Sequence, residues 1–165
     1  MTMEINEMSP ADWENVRRIY LEGIATGEAT FETEVPSWER WDANHLRFAR
    51  LVAVADGVVS GWAALSPVSR RAVYRGVAET SVYVGEQWRG QGVGQTLLEH
   101  LIAASEAHGI WTLQAGIFPE NEASIALHKR CGFHTVGVRE RIGAIAGVWR
   151  NTELLERRSK TVGNP

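Results

Sequence analysis

Between a strand-like run, Ala78 to Val84, and an apolar set at helical spacing (Val93, Leu97, Leu98, Leu101, Ile102), the chain places Arg89-Gly90-Gln91-Gly92-Val93-Gly94. No other stretch narrows the fold so far. Glycine lets a backbone approach a ligand closely and aim several N–H groups at one point. The helix that follows adds the positive end of its dipole. A strand, such a turn and a helix start together make a site for phosphate oxygens. A plain flexible turn before a helix is the alternative. Two better-known phosphate patterns fail on spacing. A Walker loop ends in Gly-Lys-Ser/Thr, whereas Gln95-Thr96 follow Gly94. A dinucleotide fingerprint fits Gly90 and Gly92 but finds Gln95 where its third glycine belongs.

The remaining chain supplies elements on both sides of this turn. Met3 to Met8 alternates as a short strand does. Ser9-Pro10 starts a helix, with Ser9 as N-cap and Trp13, Val16, Ile19, Tyr20, Gly23 and Ile24 on one face. Gly27 to Val35 reads as a loop and Pro36 to Phe48 as a second helix. Leu51–Ala55 and Val58–Ala63 flank Asp56-Gly57, a hairpin signal. Ser66 to Gly76 reads as a loop or strand end. Thr112 to Ile117 reads as a strand, Asn121 to Cys131 as a helix stopped by Gly132, and Thr135–Ile142 and Val148–Leu155 as two closing strands. This alternation gives an α/β class with a mixed sheet.

The 165 residues suit one domain, expected over 1–159, with 160–165 as a loose tail. A net charge of −3 argues against nucleic acid or an anionic membrane as the main partner. One cysteine excludes a disulfide framework within the chain, and Cys131 reads as a structural thiol. His45, His100, His108, His128 and His134 show no metal-ligand spacing, so no metal is expected, and His128 reads as packing. The N-terminus has no signal-peptide core and no window suits a membrane span, so a cytoplasmic protein is expected. Seven tryptophans are many for this length; core accounts for most, and a contact between two copies, a homodimer, for others.

Strand, Arg-Gly-x-Gly-x-Gly, then helix resembles the acetyl-CoA signature of the GCN5-related N-acetyltransferases. Phe118-Pro119-Glu120-Asn121-Glu122-Ala123-Ser124, followed by Leu127-His128 and Cys131-Gly132-Phe133, resembles that family's second cofactor element, in the expected order. Arg71-Ala72-Val73-Tyr74, Glu79-Thr80-Ser81-Val82-Tyr83-Val84, Phe31-Glu32-Thr33 and Gly147-Val148-Trp149-Arg150 are similar to the phosphinothricin and methionine sulfoximine acetyltransferase branch. The resemblance implies a single-domain fold with a mixed central sheet flanked by helices, acetyl-CoA as cosubstrate, and a small amino-acid analogue acetylated on its α-amine by direct transfer.

It also implies roles. Glu79 is the general base; a solvated strand-end glutamate is the alternative. Arg89, Gly90, Gln91, Gly92, Val93, Gly94 and Gln95 hold the pyrophosphate, with Asn121 and Ser124 on the second element. Val82, Tyr83 and Val84 offer backbone groups to the pantetheine amides, as a strand edge does. Alternation turns the Tyr83 side chain away from Val82 and Val84, toward substrate or toward packing. Phe31 walls the amino-acid pocket or joins the core. Arg71 and Tyr74 receive the substrate's acidic end, unless they form a solvated cluster with Arg70 and Arg75. One departure from the branch is Ile145-Ala146, where the dedicated phosphinothricin enzymes carry Lys-His. Acetylation of another amine (a protein N-terminus or an aminoglycoside) and a non-catalytic acetyl-CoA-binding module are the rival readings.

Overall fold

The structure, a computed structural model, describes residues 1–165. In chain order it has β1 (Met3–Glu7), α1 (Trp13–Ala25), α2 (Trp38–Asn44), β2 (Leu51–Ala55), β3 (Val58–Pro67), β4 (Val77–Val84), α3 (Val93–Ala107), β5 (Thr112–Ile117), α4 (Glu122–Arg130), β6 (His134–Ile145) and β7 (Val148–Arg158). The strands form one seven-stranded sheet in the order β1-β2-β3-β4-β5-β7-β6. All neighbours are antiparallel except β4 and β5. The α/β class with a mixed sheet is therefore observed.

Alternation along β3 and β4 divides the core between two faces. Ala63, Leu65 and Ala78 face α3, against Leu97, Leu98 and Leu101. Trp62 and Ala64 face α1 and α2, against Val16, Ile19 and Trp41. Trp41 and Trp62 are fully buried, whereas Trp149 is exposed. Asp56 and Gly57 both take positive φ, the backbone that a two-residue turn between twisted strands demands.

Several boundaries differ from those the sequence suggests. Ser9 starts a short 3-10 turn, its N–H donating to Asp12 Oδ2 at 2.8 Å, and the α-helix begins only at Trp13. The second helix is seven residues, not thirteen. Ser37 caps it, accepting from the Arg40 N–H, and at its end the Trp41 carbonyl meets His45 Nδ1 at 2.6 Å while the His45 backbone is extended. The last helix starts after Asn121, which caps it. The last two strands are longer than expected because Ala146-Gly147 turns tightly enough to pair Ile145 with Val148, and β7 continues along β5 to Arg158. The expected loose tail is tied down: Arg158 donates to the Val162 and Gly163 carbonyls at 2.7 Å, and the Thr161 hydroxyl to Glu106 at 2.8 Å. Cys131 is half-buried, and burial raises its thiol pKa, consistent with an inert side chain.

Candidate active site

The parallel pair β4 and β5 is in register only through Val77↔Thr112, Ala78↔Leu113 and Glu79↔Gln114. Beyond Glu79 the strands part: β4 stays with β3 to Val84, and β5 stays with β7 to Ile117. The split leaves one edge of β4 without a strand partner from Thr80 onward, and two adjoining cavities open there.

The first, of about 320 Å³, is lined by Glu79, Thr80, Ser81, Val82 and Tyr83 from β4, by Ala115 to Phe118 of β5 and its end, by Ala29 to Glu32, and by Asn121, Ser124, His128 and Thr152. The second, of about 570 Å³, is lined by Val82, Tyr83, Val84, Trp88, Arg89, Gly90, Gly92, Val93, Gly94 and Gln95, by Thr26 and Glu28, and by Asn121, Ser124, Leu127 and Arg130. Val82, Tyr83, Asn121 and Ser124 border both, so the cavities are two halves of one cleft.

The glycine-rich turn borders the larger half. Gly90 (φ +74°) and Gly92 (φ +85°) adopt left-handed backbone, and a Cβ on either would meet nothing within 4 Å in the protein. Their need for glycine is conformational, and the space before them is open to a ligand. Gly92 is the N-cap of α3, so the free N–H groups of that helix start here. Gly94 is needed for packing: a Cβ there would lie 3.2 Å from Leu127. With Arg89 and Arg130 on the lining, the donor set suits a chain of phosphates. Gln91, expected among the cofactor residues, is absent from the lining; its amide turns back to donate to the Gln87 carbonyl at 2.9 Å. Leu127, part of the second cofactor element, borders this half, as do Trp88 and Arg130, for which the sequence suggests no site role.

In the smaller half, Glu79 is half-buried and accepts from Gln114 Nε2 at 3.2 Å. Glu32 is the other carboxylate on the lining, and no lysine or arginine lies there. Tyr83 does turn away from Val82 and Val84. Its ring sits on Gly23, where a Cβ would lie 2.7 Å away, and stacks with Trp62 (4.7 Å) and Tyr20 (4.9 Å). Burial, then the Tyr20 phenol, hold its pKa above the usual tyrosine range, which keeps it un-ionised. Phe31 meets Phe118 edge-on at 4.8 Å.

His128, read from the sequence as packing, borders the cleft. Its Nδ1 lies 2.8 Å from the Ser124 carbonyl, and its Nε2 3.2 Å from Thr80 Oγ1. A carbonyl only accepts, so Nδ1 carries the proton and Nε2 accepts from the Thr80 hydroxyl. Burial, the main influence, lowers its pKa and favours this neutral form. Thr152 reaches the same half from β7, with no local motif to mark it.

Arg71 and Tyr74 line neither cavity. Both are exposed, with the Arg71 guanidinium 5.4 Å from the Tyr74 ring centre, in the loop that leaves β3 at Pro67 and re-enters the sheet two residues before Glu79. The structure thus brings Glu79 and Phe31 to one half and the glycine turn to the other, with Tyr83 bordering both, and keeps this pair outside both.

A split sheet with a glycine-rich helix start at the larger mouth of the cleft defines a site for a phosphate-bearing ligand beside a carboxylate. Residues 11–133 match the model of the acetyltransferase (GNAT) family, and the chain belongs to that family and is an N-acetyltransferase. It is 37% identical over 149 residues (86% of this chain, 75% of the relative) to phosphinothricin N-acetyltransferase of Alcaligenes faecalis. It is 32% identical over 162 residues (94% of both) to the L-methionine sulfoximine/L-methionine sulfone acetyltransferase of Pseudomonas aeruginosa. A crystal structure of a GNAT superfamily phosphinothricin acetyltransferase from Sinorhizobium meliloti in complex with AcCoA matches with a TM-score of 0.88 and 30% identity, over 99% of this chain and 91% of that one.

Proposed function

We propose that the protein acetylates the α-amine of a small amino-acid analogue, such as L-methionine sulfoximine or phosphinothricin, with acetyl-CoA as donor. The observation that carries this reading is the single cleft in which Glu79 and the phosphate-suited turn lie on opposite halves of one strand edge. The residues fit the cosubstrate. Gly90, Gly92, Gly94, Gln95, Arg89 and the first N–H groups of α3 would hold its pyrophosphate, and the free edge of β4 from Val82 to Val84 its pantetheine amides. The bound group supplies an activated acetyl thioester.

The chain's own residues then act on the amine. Glu79, oriented by Gln114, removes a proton from the ammonium, directly or through water. The freed nitrogen would bond to the acetyl carbon as the carbon–sulfur bond breaks, and the further proton it sheds in becoming an amide would neutralise the departing thiolate. Backbone N–H groups near Val84 polarise the carbonyl oxygen, and holding amine and thioester side by side removes several kcal/mol of the barrier. Thiol release with mass detection of the N-acetyl product tests the reading on L-methionine sulfoximine and phosphinothricin. Product from both supports it. No product from any amino-acid analogue, in a protein that binds CoA, overturns it.

Glu32 and Glu79, with no cation on the same lining, favour a second reading: an amine without a carboxylate. In the amino-acid reading Arg71 and Tyr74 swing in to receive the acidic end. Arg71→Ala then raises KM for L-methionine sulfoximine about tenfold and leaves KM for acetyl-CoA within about twofold. In the second reading neither constant moves, and the decarboxylated analogue is the better substrate.

A cytoplasmic, detoxifying homodimer completes the proposal. Val136, Val138, Ile142, Val148 and Trp149, all exposed on the β6–β7 hairpin, support a self-contact. Light scattering of the wild type and of Trp149→Glu measures it.

A further inference from the structure

Arg150 is outside both cavities, yet it joins two segments that border them, the α1–α2 loop and the β5–α4 turn. Its side chain is 19% exposed on β7. Nη1 donates to the Gly27 carbonyl at 3.0 Å, Nη2 donates to Glu120 Oε2 at 3.3 Å, and the guanidinium lies 4.1 Å from the centre of the Phe118 ring. These contacts are unequal. The Glu120 side chain is mostly exposed, so that ion pair is weak. The guanidinium lies over a buried ring, Phe118, and its bond to the Gly27 carbonyl is shorter than the ion pair, so these two contacts dominate.

Both bear on the smaller half of the cleft. Phe118 touches Phe31 edge-on, and the Phe31 ring lies where a Cβ on Gly143 would sit, 2.8 Å from that position. The carbonyl next to Gly27, that of Glu28, accepts from Asn121 Nδ2 at 3.2 Å, while Asn121 Oδ1 caps α4. Two consecutive carbonyls of the α1–α2 loop are therefore gripped by side chains from two different elements, immediately before Ala29, Thr30, Phe31 and Glu32 enter the cavity wall.

We propose that Arg150 is a positioning residue for the amine half of the site, latching the Gly27–Glu32 segment to the β5–α4 turn and so fixing the Phe31–Phe118 wall against which the amine's carbon skeleton packs. The latch rests on the acetyltransferase reading for its kinetic consequence but not for its structural one. Thr26 and Glu28, which flank Gly27 and border the larger half, keep the Thr26 hydroxyl and Asn121 bonds when Arg150 is lost, so the loss falls on the amine side.

Amide hydrogen exchange and kinetics on Arg150→Ala and Arg150→Lys test this together. Arg150→Ala is expected to speed exchange at residues 27–32 by about tenfold or more while α3 and the β2–β3 hairpin stay as in wild type. KM for the amine is expected to rise about tenfold with kcat within about threefold, because the wall binds ground and transition states alike. Arg150→Lys, which keeps the charge without the planar fork, is expected to recover part of both effects. Unchanged exchange at 27–32 in a folded Arg150→Ala protein overturns the latch, as does a fall in kcat at constant KM. If the wild type acetylates no amine, the functional reading fails, and the exchange experiment still decides the latch.

Discussion

Arg89, Arg130 and the start of α3 face one half of the cleft; Glu32 and Glu79 face the other. The two halves share Tyr83 and Asn121 but differ in sign and in construction. The half assigned to the cofactor is drawn largely from one continuous stretch, Val82 to Gln95, and its Gly90 and Gly92 lie in open space. The half assigned to the amine draws side chains from β4, β5, β7, α4 and the α1–α2 loop, and Glu79, His128 and Phe31 are each held by a residue far away in sequence. A backbone-built site is stiff and generic, and suits a ligand common to a family. A side-chain-built site can be altered one residue at a time, and suits a substrate that varies within it.

Substitutions that strike one half alone probe this contrast. The largest effect belongs to Glu79→Gln, which keeps shape and removes charge. Near neutral pH kcat is expected to fall by about 10²-fold or more, with CoA affinity unchanged by calorimetry. Equal losses in both would merge the halves.

Next comes Gly92→Val. The substitution meets no protein atom, so its cost to the folded chain is backbone strain at φ +85°, whereas the new side chain occupies the ligand's approach. CoA affinity is expected to fall by more than about tenfold, or about 1.4 kcal/mol. Unchanged affinity in the folded variant would remove the turn from the cofactor half.

Phe31→Ala should raise KM for the amine about fivefold and leave CoA affinity within about twofold. Titration of CoA into the same variant checks the second part. A matching loss of CoA affinity would show that the wall serves both ligands.

The smallest effect concerns His128, which touches both Thr80 and Ser124. Burial places its folded pKa below the unfolded value of about 6.5. Stability from the neutral ring is thus fully present above that value and is lost as pH falls toward the lowered folded one. His128→Gln should therefore lose less Tm between pH 7.5 and pH 5 than wild type. A residual slope is expected from His45, whose pKa burial also lowers. Identical slopes in the two proteins would contradict a buried neutral His128.

The contrast also explains what the sequence could show. Gly90 and Gly92 act through local conformation, and Gly94 sits one helical residue further on, so their spacing alone points to the phosphate-suited turn. Apolar spacing likewise announced α1 and α3, and Asp56-Gly57 its hairpin. The amine half was legible only where a residue sat in a motif, as Glu79 and Phe31 do. Thr152 carries no local signal, because β7 reaches the cleft only through pairing with β5, and Arg150 is marked only as part of the Gly147–Arg150 run, which says nothing of its contacts. Arg71 and Tyr74 looked like site residues from their chemistry, but the loop that carries them stands outside the lining. The end of α2 is hidden from the sequence for a related reason: a side chain, His45, meets the Trp41 carbonyl there.

The pH dependence of acetyl transfer to L-methionine sulfoximine, measured in wild type and in Glu79→Gln, tests the assignment most directly. The account predicts N-acetyl product from both proteins and a gap of about 10²-fold near pH 7. That gap should narrow as rising pH deprotonates the amine without help. Parallel profiles across the range, or no acetylated product from the wild type, would contradict it.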